Sequence, residues 1–204
     1  FGVYADFRTY TSLFLLLLSL PTGILYFTVA VTGLSLSVGL SILIIGIPIF
    51  LIFIGLIRVL SLAEGRLIEG LIGTRMPRRA PYVIKGVALM ERIKIMLKDQ
   101  RTWTTLLYMV LALPIGIFSF VFAVVSLAVP LALLFAPLGA LFGLNDHITI
   151  DDATLYSYVG MGGLILCAIA GFILLTLTLH GARLIGRVHG SLAKALLVAR
   201  DGEA

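Results

Sequence analysis

The sequence predicts an all-α integral membrane protein: four transmembrane helices built as two tandem, same-orientation repeats of a helical hairpin plus an amphipathic interfacial helix. Three observations carry that prediction. Of 204 residues, 60% are hydrophobic and only 12% are charged, about half the ~25% charged content of a soluble globular domain. No charged residue occurs between Arg8 and Arg58, from Thr102 to Asn145, or from Ala153 to Leu179, and a helix needs roughly 20 apolar residues to cross a bilayer. Finally, the chain repeats itself. "RTYTSLFLLLLSLPTG" at 8–23 returns as "RTWTTLLYMVLALPIG" at 101–116, an offset of 93. The match continues through Ile24/Ile117, Phe27/Phe120, Ala30/Ala123, Val31/Val124 and Leu34/Leu127. Chance Leu–Leu matches come free with an apolar composition, but an aligned Arg-Thr-aromatic-Thr start followed by Leu-Pro-x-Gly does not.

Taken in order, the first uncharged run is too long for one crossing and suits two. The small and polar residues of Gly33-Leu-Ser-Leu-Ser37 predict the break, giving helix 1 over 10–33 and helix 2 over 37–61. From Glu64 to Arg101 the composition turns basic. "GTRMPRRAPY" with its two prolines predicts a loop. "VIKGVALMERIKIMLKDQ" places Val87, Met90, Ile93, Met96 and Leu97 along one stripe, which predicts an amphipathic helix at the membrane surface. Helix 3 follows over 103–128. The apolar stretch 129–144 contains Pro130, Pro137 and Gly139, and either extends helix 3 or forms an interfacial or re-entrant piece. "NDHITIDDAT" is a polar loop, and helix 4 covers 156–183. Arg58, Gly65, Leu67 and Leu71 match Arg183, Gly190, Leu192 and Leu196 at an offset of 125, so the second hairpin is expected to end as the first does. Repeat 1 is then 1–73, a cytoplasmic connector with the amphipathic helix is 74–100, and repeat 2 is 101–204. Two spans per repeat predict a pseudo-twofold axis along the membrane normal, unlike inverted repeats.

None of the 15 Lys and Arg residues lies in the two connections on the face opposite the termini, whereas Asp146, Asp151 and Asp152 do. The positive-inside rule therefore predicts a multi-pass protein of the cell membrane with both termini cytoplasmic. Tyr10 and Trp103 are expected to anchor helices 1 and 3 at the cytoplasmic interface, and Tyr156 and Tyr158 to anchor helix 4 outside. Lys85, Arg92, Lys94 and Lys98 are the basic residues expected to face anionic headgroups. The basic balance is what topology requires, and no nucleic-acid-binding motif accompanies it.

Candidates for chemistry are few. Asp146, His147, Asp151 and Asp152 are the candidates for a cation- or proton-sensing cluster in the outer loop, set against the plainer reading of a solvated connection. His180 reads as interfacial. His189 matches Glu64 of the first repeat, and both are expected at solvated positions near headgroups. Pro21 and Pro114 lie inside helices 1 and 3 and predict duplicated kinks. Gly163, Cys167 and Gly171, spaced by four, predict a packing seam within the bundle or in a homodimer. The lone cysteine excludes an intrachain disulfide. No charged residue is expected in the body of a span, so the ionisable group usual in ion-coupled transport is missing. No nucleotide-binding, hydrolase or zinc-protease motif is present. Neither an enzyme nor a cofactor is predicted.

The repeated Leu-Pro-x-Gly phrase, "ALMERIKIMLKDQRTWTTLLYMVLALPIG" leading into helix 3, and Glu64 with Leu67 after helix 2 resemble the membrane sensor domains found at the N-termini of bacterial, notably actinobacterial, histidine kinases and as separate membrane proteins. The resemblance spans nearly the whole chain. It implies a four-helix module that detects a membrane or envelope signal and passes it to a cytoplasmic partner. It supplies no ligand residues. The sequence to Ala204 contains no dimerisation helix, phospho-acceptor histidine or ATP-binding domain of the kinase form; if the protein ends there, the output is expected to pass through another protein. The expected function is a non-enzymatic sensor or regulatory module acting on a kinase, a regulator or a larger membrane complex. The rivals are an accessory or assembly subunit of such a complex, and a small transporter or lipid-handling protein.

Overall fold

The computed structural model describes residues 2–40, 46–73, 89–142, 149–150 and 153–197. In chain order these form α1 (Gly2–Ala5), α2 (Phe7–Gly39), α3 (Gly46–Ile72), α4 (Leu89–Lys98), α5 (Gln100–Leu141), the two-residue strands β1 (Thr149–Ile150) and β2 (Ala153–Thr154), and α6 (Leu155–Leu197). The strands pair antiparallel, Thr149 with Thr154 and Ile150 with Ala153. Everything else of length is helix. α2, α3, α5 and α6 are each long and apolar enough to cross a membrane, and no more than 33% of any of their apolar windows is buried inside the protein. The remaining apolar surface faces outward, with Phe14, Leu25, Phe118, Val125 and Leu166 all exposed. Lipid rather than water suits such a surface, and the chain is a multi-pass membrane protein.

The helices run longer than the sequence suggested. α2 continues through Gly33 and Ser37 to Gly39 instead of breaking there. The reason lies in packing. Ser37 Oγ donates to Gly33 O within the helix at 2.6 Å, so its polarity is satisfied without a turn. Gly33 is where the Phe53 ring of α3 lies against the α2 backbone; a Cβ there would overlap the ring. α3 runs through Arg58, Glu64 and Arg66, and the expected separate helix after the second span is its continuation. It ends at Gly73, whose φ of 75° suits glycine and whose N–H reaches Glu69 O at 3.0 Å. α6 likewise continues past Arg183 to Leu197. The segment after helix 3 extends α5 to Leu141 despite Pro130 and Pro137. Near its end α5 packs on α6, where a Cβ at Gly171 would meet Pro130 O and Leu134 N. Gly160, at φ 67°, breaks the regularity of α6 one turn after its start.

The main contacts are α2 with α5, α5 with α6 and α2 with α3, and α2 also touches α6. At the α2–α5 crossing two glycines let the backbones meet. A Cβ on Gly23 would strike Ala112 O, and one on Gly116 would strike Ser19 O. Small residues at a crossing are how membrane helices gain close van der Waals packing, since lipid offers no hydrophobic drive between them.

Contacts recur at the two sequence offsets. Ser19 and Leu20, which meet Gly116, become Ala112 and Leu113, which meet Gly23, when 93 is added. Tyr10 OH donates to Tyr4 O at 3.0 Å, and Trp103 Nε1 to Leu97 O at 2.9 Å; both pairs differ by 93. Asp6 precedes α2 as Asp99 precedes α5, with Thr9 N bonded to Asp6 O and Thr102 N to Asp99 O, each at 3.0 Å. The apolar clusters follow suit. One holds Leu16, Ala123, Leu179 and Ala182. A second holds Ala30, Ile57 and Met109, the equivalents of Ala123, Ala182 and Leu16.

Candidate functional site

Beyond the apolar run of α3, Glu64 sits in the helix bundle with only 4% of its surface exposed. Its two carboxylate oxygens are divided between two phenols. Tyr26 OH donates to Oε2 at 2.9 Å, and Tyr108 OH donates to Oε1 at 2.9 Å. His189 completes the group, with Nε2 3.8 Å from Glu64 Oε1 and 3.5 Å from Tyr108 OH. Each of the four side chains comes from a different long helix: Tyr26 from α2, Glu64 from α3, Tyr108 from α5 and His189 from α6.

The local sequence explains the convergence. Tyr26 lies one turn beyond Gly23, where α2 meets the α5 backbone, and packs among Ala30, Phe53, Ile57 and Met109. Tyr108 lies one turn before Ala112 on the facing helix and joins Leu15, Ile68, Ala193 and Leu197. Ile68 is one turn after Glu64, and Ala193 one turn after His189. These apolar neighbours exclude water from the carboxylate. A buried carboxylate is costly unless hydrogen-bonded, and a bond to a charged acceptor contributes about 1.5–3 kcal/mol. His189 Nδ1 is buried and has no hydrogen-bond partner.

Glu64 and His189, equivalent at the offset of 125, are both withdrawn from solvent, with side chains only 5% and 9% exposed, which overturns the expectation that both are solvated. The continuation of α3 and α6 beyond the expected spans carries these two residues into the bundle rather than onto a separate surface helix. Glu64 lies outside the span expected over 37–61, yet the longer α3 brings it into the bundle. Two phenols supply the hydrogen bonds that make the carboxylate tolerable.

Further along the bundle, two ion pairs tie each hairpin to the start of the other. Arg183 on α6 pairs with Asp6 at 2.5 Å and donates from Nε to Thr9 Oγ1 at 2.7 Å. Arg58 on α3 lies 3.8 Å from Asp99. Adding 93 to Asp6 gives Asp99, and adding 125 to Arg58 gives Arg183. Asp6 also caps α2 by accepting from Arg8 N at 2.9 Å.

The residues singled out from sequence are dispersed. Pro21 and Pro114 are exposed in helices that stay continuous through them. Tyr10 and Trp103 are half exposed, each tied to the chain six residues before it. Tyr156 and Tyr158 begin α6, where only the backbone is described. Lys94 and Lys98 are exposed on α4 while Met96 is buried; Arg92 is described only by its place in that helix, and Lys85 lies outside the described residues. So do Asp146, His147, Asp151 and Asp152. Gly163 and Cys167 are partly buried and Gly171 is buried against α5. His180 is exposed, with Nδ1 2.8 Å from Thr176 O. Among the described residues no group of three or more His, Cys, Asp or Glu is placed to hold a metal ion.

A family model described as "Putative sensor" matches residues 15–197, which include all four residues of the Glu64 group. The chain belongs to that sensor family. No curated protein and no solved structure matches it. Within this sensor-family chain, Tyr26 and Tyr108 were missed by sequence reasoning. Their signal was a departure from the repeat: Tyr26 stands opposite Ser119, and Tyr108 opposite Leu15.

Proposed function

We propose that this chain is a non-enzymatic sensor or regulatory module of the cell membrane, with both termini and α4 on the cytoplasmic side, that turns a membrane or envelope signal into a shift between two hairpins. The observation that carries the reading is the meeting of all four long helices at Glu64. A relay needs an element with two discrete arrangements whose balance a signal biases. A buried carboxylate shared by three helices besides its own suits that role. Withdrawing one partner strands a buried polar group, so the bundle has reason to repack as a unit rather than yield gradually.

The two hairpins are, in this reading, copies of one unit exchanged by a pseudo-twofold axis along the membrane normal. The contacts that recur at offsets of 93 and 125 support it. Glu64 and His189 hold equivalent positions and lie side by side, as residues on such an axis must. The output passes to a kinase, a regulator or a larger membrane complex at the basic face, where anionic headgroups also gather.

The test is co-purification from native membranes in mild detergent, comparing wild type with Glu64→Gln. A kinase or regulator whose recovery changes several-fold in the variant supports the relay. A large stoichiometric complex recovered equally by both favours the accessory-subunit role. Substrate or lipid flux by the protein alone in liposomes would establish transport instead.

A further inference from the structure

Between α5 and α6 lies a cleft of about 500 Å³, within the 300–1,000 Å³ range of small-molecule sites. Its walls include Tyr108, Pro114, Phe118, Ser119, Leu184 and His189. Phe118 and Leu184, which are 66% and 63% exposed, form its rim on the apolar outer surface. A molecule dissolved in the lipid can therefore enter sideways. Apart from Tyr108, Ser119 and His189, the lining is apolar.

We propose that this cleft binds a membrane-soluble small molecule with an apolar body and a single hydroxyl head, an alkylphenol-like alcohol, whose O–H is given to His189. Two independent observations meet here. The first is the orphan nitrogen. The His189 side chain is only 9% exposed, and its Nδ1 has no partner. On its other side, Nε2 faces Glu64 Oε1 and the oxygen of Tyr108, whose own proton goes to Glu64. Both neighbours of Nε2 offer lone pairs, so in the neutral ring with its proton on Nε2 the Nδ1 atom presents a lone pair to a donor. A buried acceptor left without a donor is costly, and a ligand O–H removes that cost.

The second observation is the comparison between hairpins. At the place equivalent to Ser119, the first hairpin carries Tyr26, whose phenol reaches Glu64, the equivalent of His189. In the second hairpin the serine leaves a cleft where the first has a phenol, beside the histidine instead of the carboxylate. The protein thus shows on one side the chemistry that fits the other: an aromatic or similarly bulky apolar body ending in a hydroxyl. Occupancy of the cleft stands on this geometry alone. Its use as the signal rests on the sensor reading, because a ligand on His189 touches the group that joins the four helices.

The probe is a photoactivatable diazirine analogue of 4-octylphenol, added to wild-type protein in nanodiscs, with labelled peptides mapped by mass spectrometry. Label is expected on the α5 and α6 segments that contain Phe118 and Leu184. Unlabelled 4-octylphenol is expected to compete about tenfold better than its methyl ether, which keeps the apolar body and lacks the O–H, as loss of one hydrogen bond implies. Ser119→Tyr, which supplies the repeat's own phenol, is expected to abolish the site-specific label. His189→Phe is expected to remove the preference for phenol over ether while leaving the protein folded, checked by its melting temperature. Label spread evenly over lipid-facing helices, or unchanged in Ser119→Tyr, overturns the site. Equal competition by phenol and ether in wild type overturns the role of His189. Because the isolated protein is used, failure here leaves the partner test of Glu64→Gln to decide the sensor reading separately.

Discussion

Gly23 and Gly116 each press against the other's helix at equivalent points: a Cβ on Gly23 would meet the carbonyl of Ala112, and one on Gly116 the carbonyl of Ser19. Backbone oxygens cannot rotate away as a side-chain tip can, so even one methyl group must push α2 and α5 apart. Gly23→Ala and Gly116→Ala are each expected to destabilise the bundle by about 1–3 kcal/mol, the usual cost of overpacking. The double variant should lose less than the sum, because once the helices separate the second methyl has room. Denaturation in mixed micelles measures this. One neutral and one severe variant would show that the two glycines do not share a crossing.

The buried carboxylate yields a sharper expectation. Glu64→Leu leaves the Tyr26 and Tyr108 hydroxyls without an acceptor, at about 1–3 kcal/mol each. Glu64→Gln keeps one acceptor oxygen and should cost less. Removing the stranded donors as well reverses part of the loss, since replacing both partners of a bond by apolar groups is close to neutral. The triple variant Tyr26→Phe, Glu64→Leu, Tyr108→Phe should therefore melt above Glu64→Leu alone. A triple variant less stable than Glu64→Leu would mean that the tyrosines matter through something other than this carboxylate.

Much of this arrangement could be read from the sequence, but not its centre. Class, span number and both offsets were visible because hydrophobic runs and repeated phrases are local properties. Asp6/Asp99 and Tyr10/Trp103 obey an offset first seen in "RTYTSL" and "RTWTTL". Helix ends misled: Gly33 looked like a breaker, yet its missing side chain serves the Phe53 ring. Glu64 looked solvated because a carboxylate after an apolar run usually is. Its partners are 38 and 44 residues away along the chain, and no local pattern announces phenols arriving from two other helices. The residues that break the repeat, Tyr26 against Ser119 and Tyr108 against Leu15, were the available clue. They mark where two otherwise equivalent hairpins do different chemistry.

Orientation is testable by labelling. In a Cys167→Ala background, Asp151→Cys is expected to react with an impermeant maleimide in intact cells. Lys94→Cys, on the exposed face of α4, should react only after lysis. The basis is the confinement of Lys and Arg to one side. The opposite pattern would invert the topology and move the basic surface away from any cytoplasmic partner.

The basic surface itself allows the sensor and accessory readings to be separated. α4 exposes Lys94 and Lys98 while burying Met96, and Arg92 and Lys85 belong to the same stretch of sequence. Each basic residue near an anionic leaflet is worth about 1 kcal/mol, so on the proposed sensor reading the four together would hold the segment to lipid by a few kcal/mol. That is strong enough to keep it docked and weak enough for a relay to release it. Deep burial against protein would permit no such release. Replacing all four by Gln is expected to leave insertion and melting unchanged, because the main helix contacts lie among α2, α3, α5 and α6. Hydrogen exchange across 89–98 in anionic nanodiscs should then rise to the level that wild type shows in neutral ones. Exchange that is slow and equal in both lipids, and in the variant, would mean that protein holds α4 in place. The Glu64 group would then have no movable cytoplasmic element to act on, and the accessory-subunit reading would take the lead.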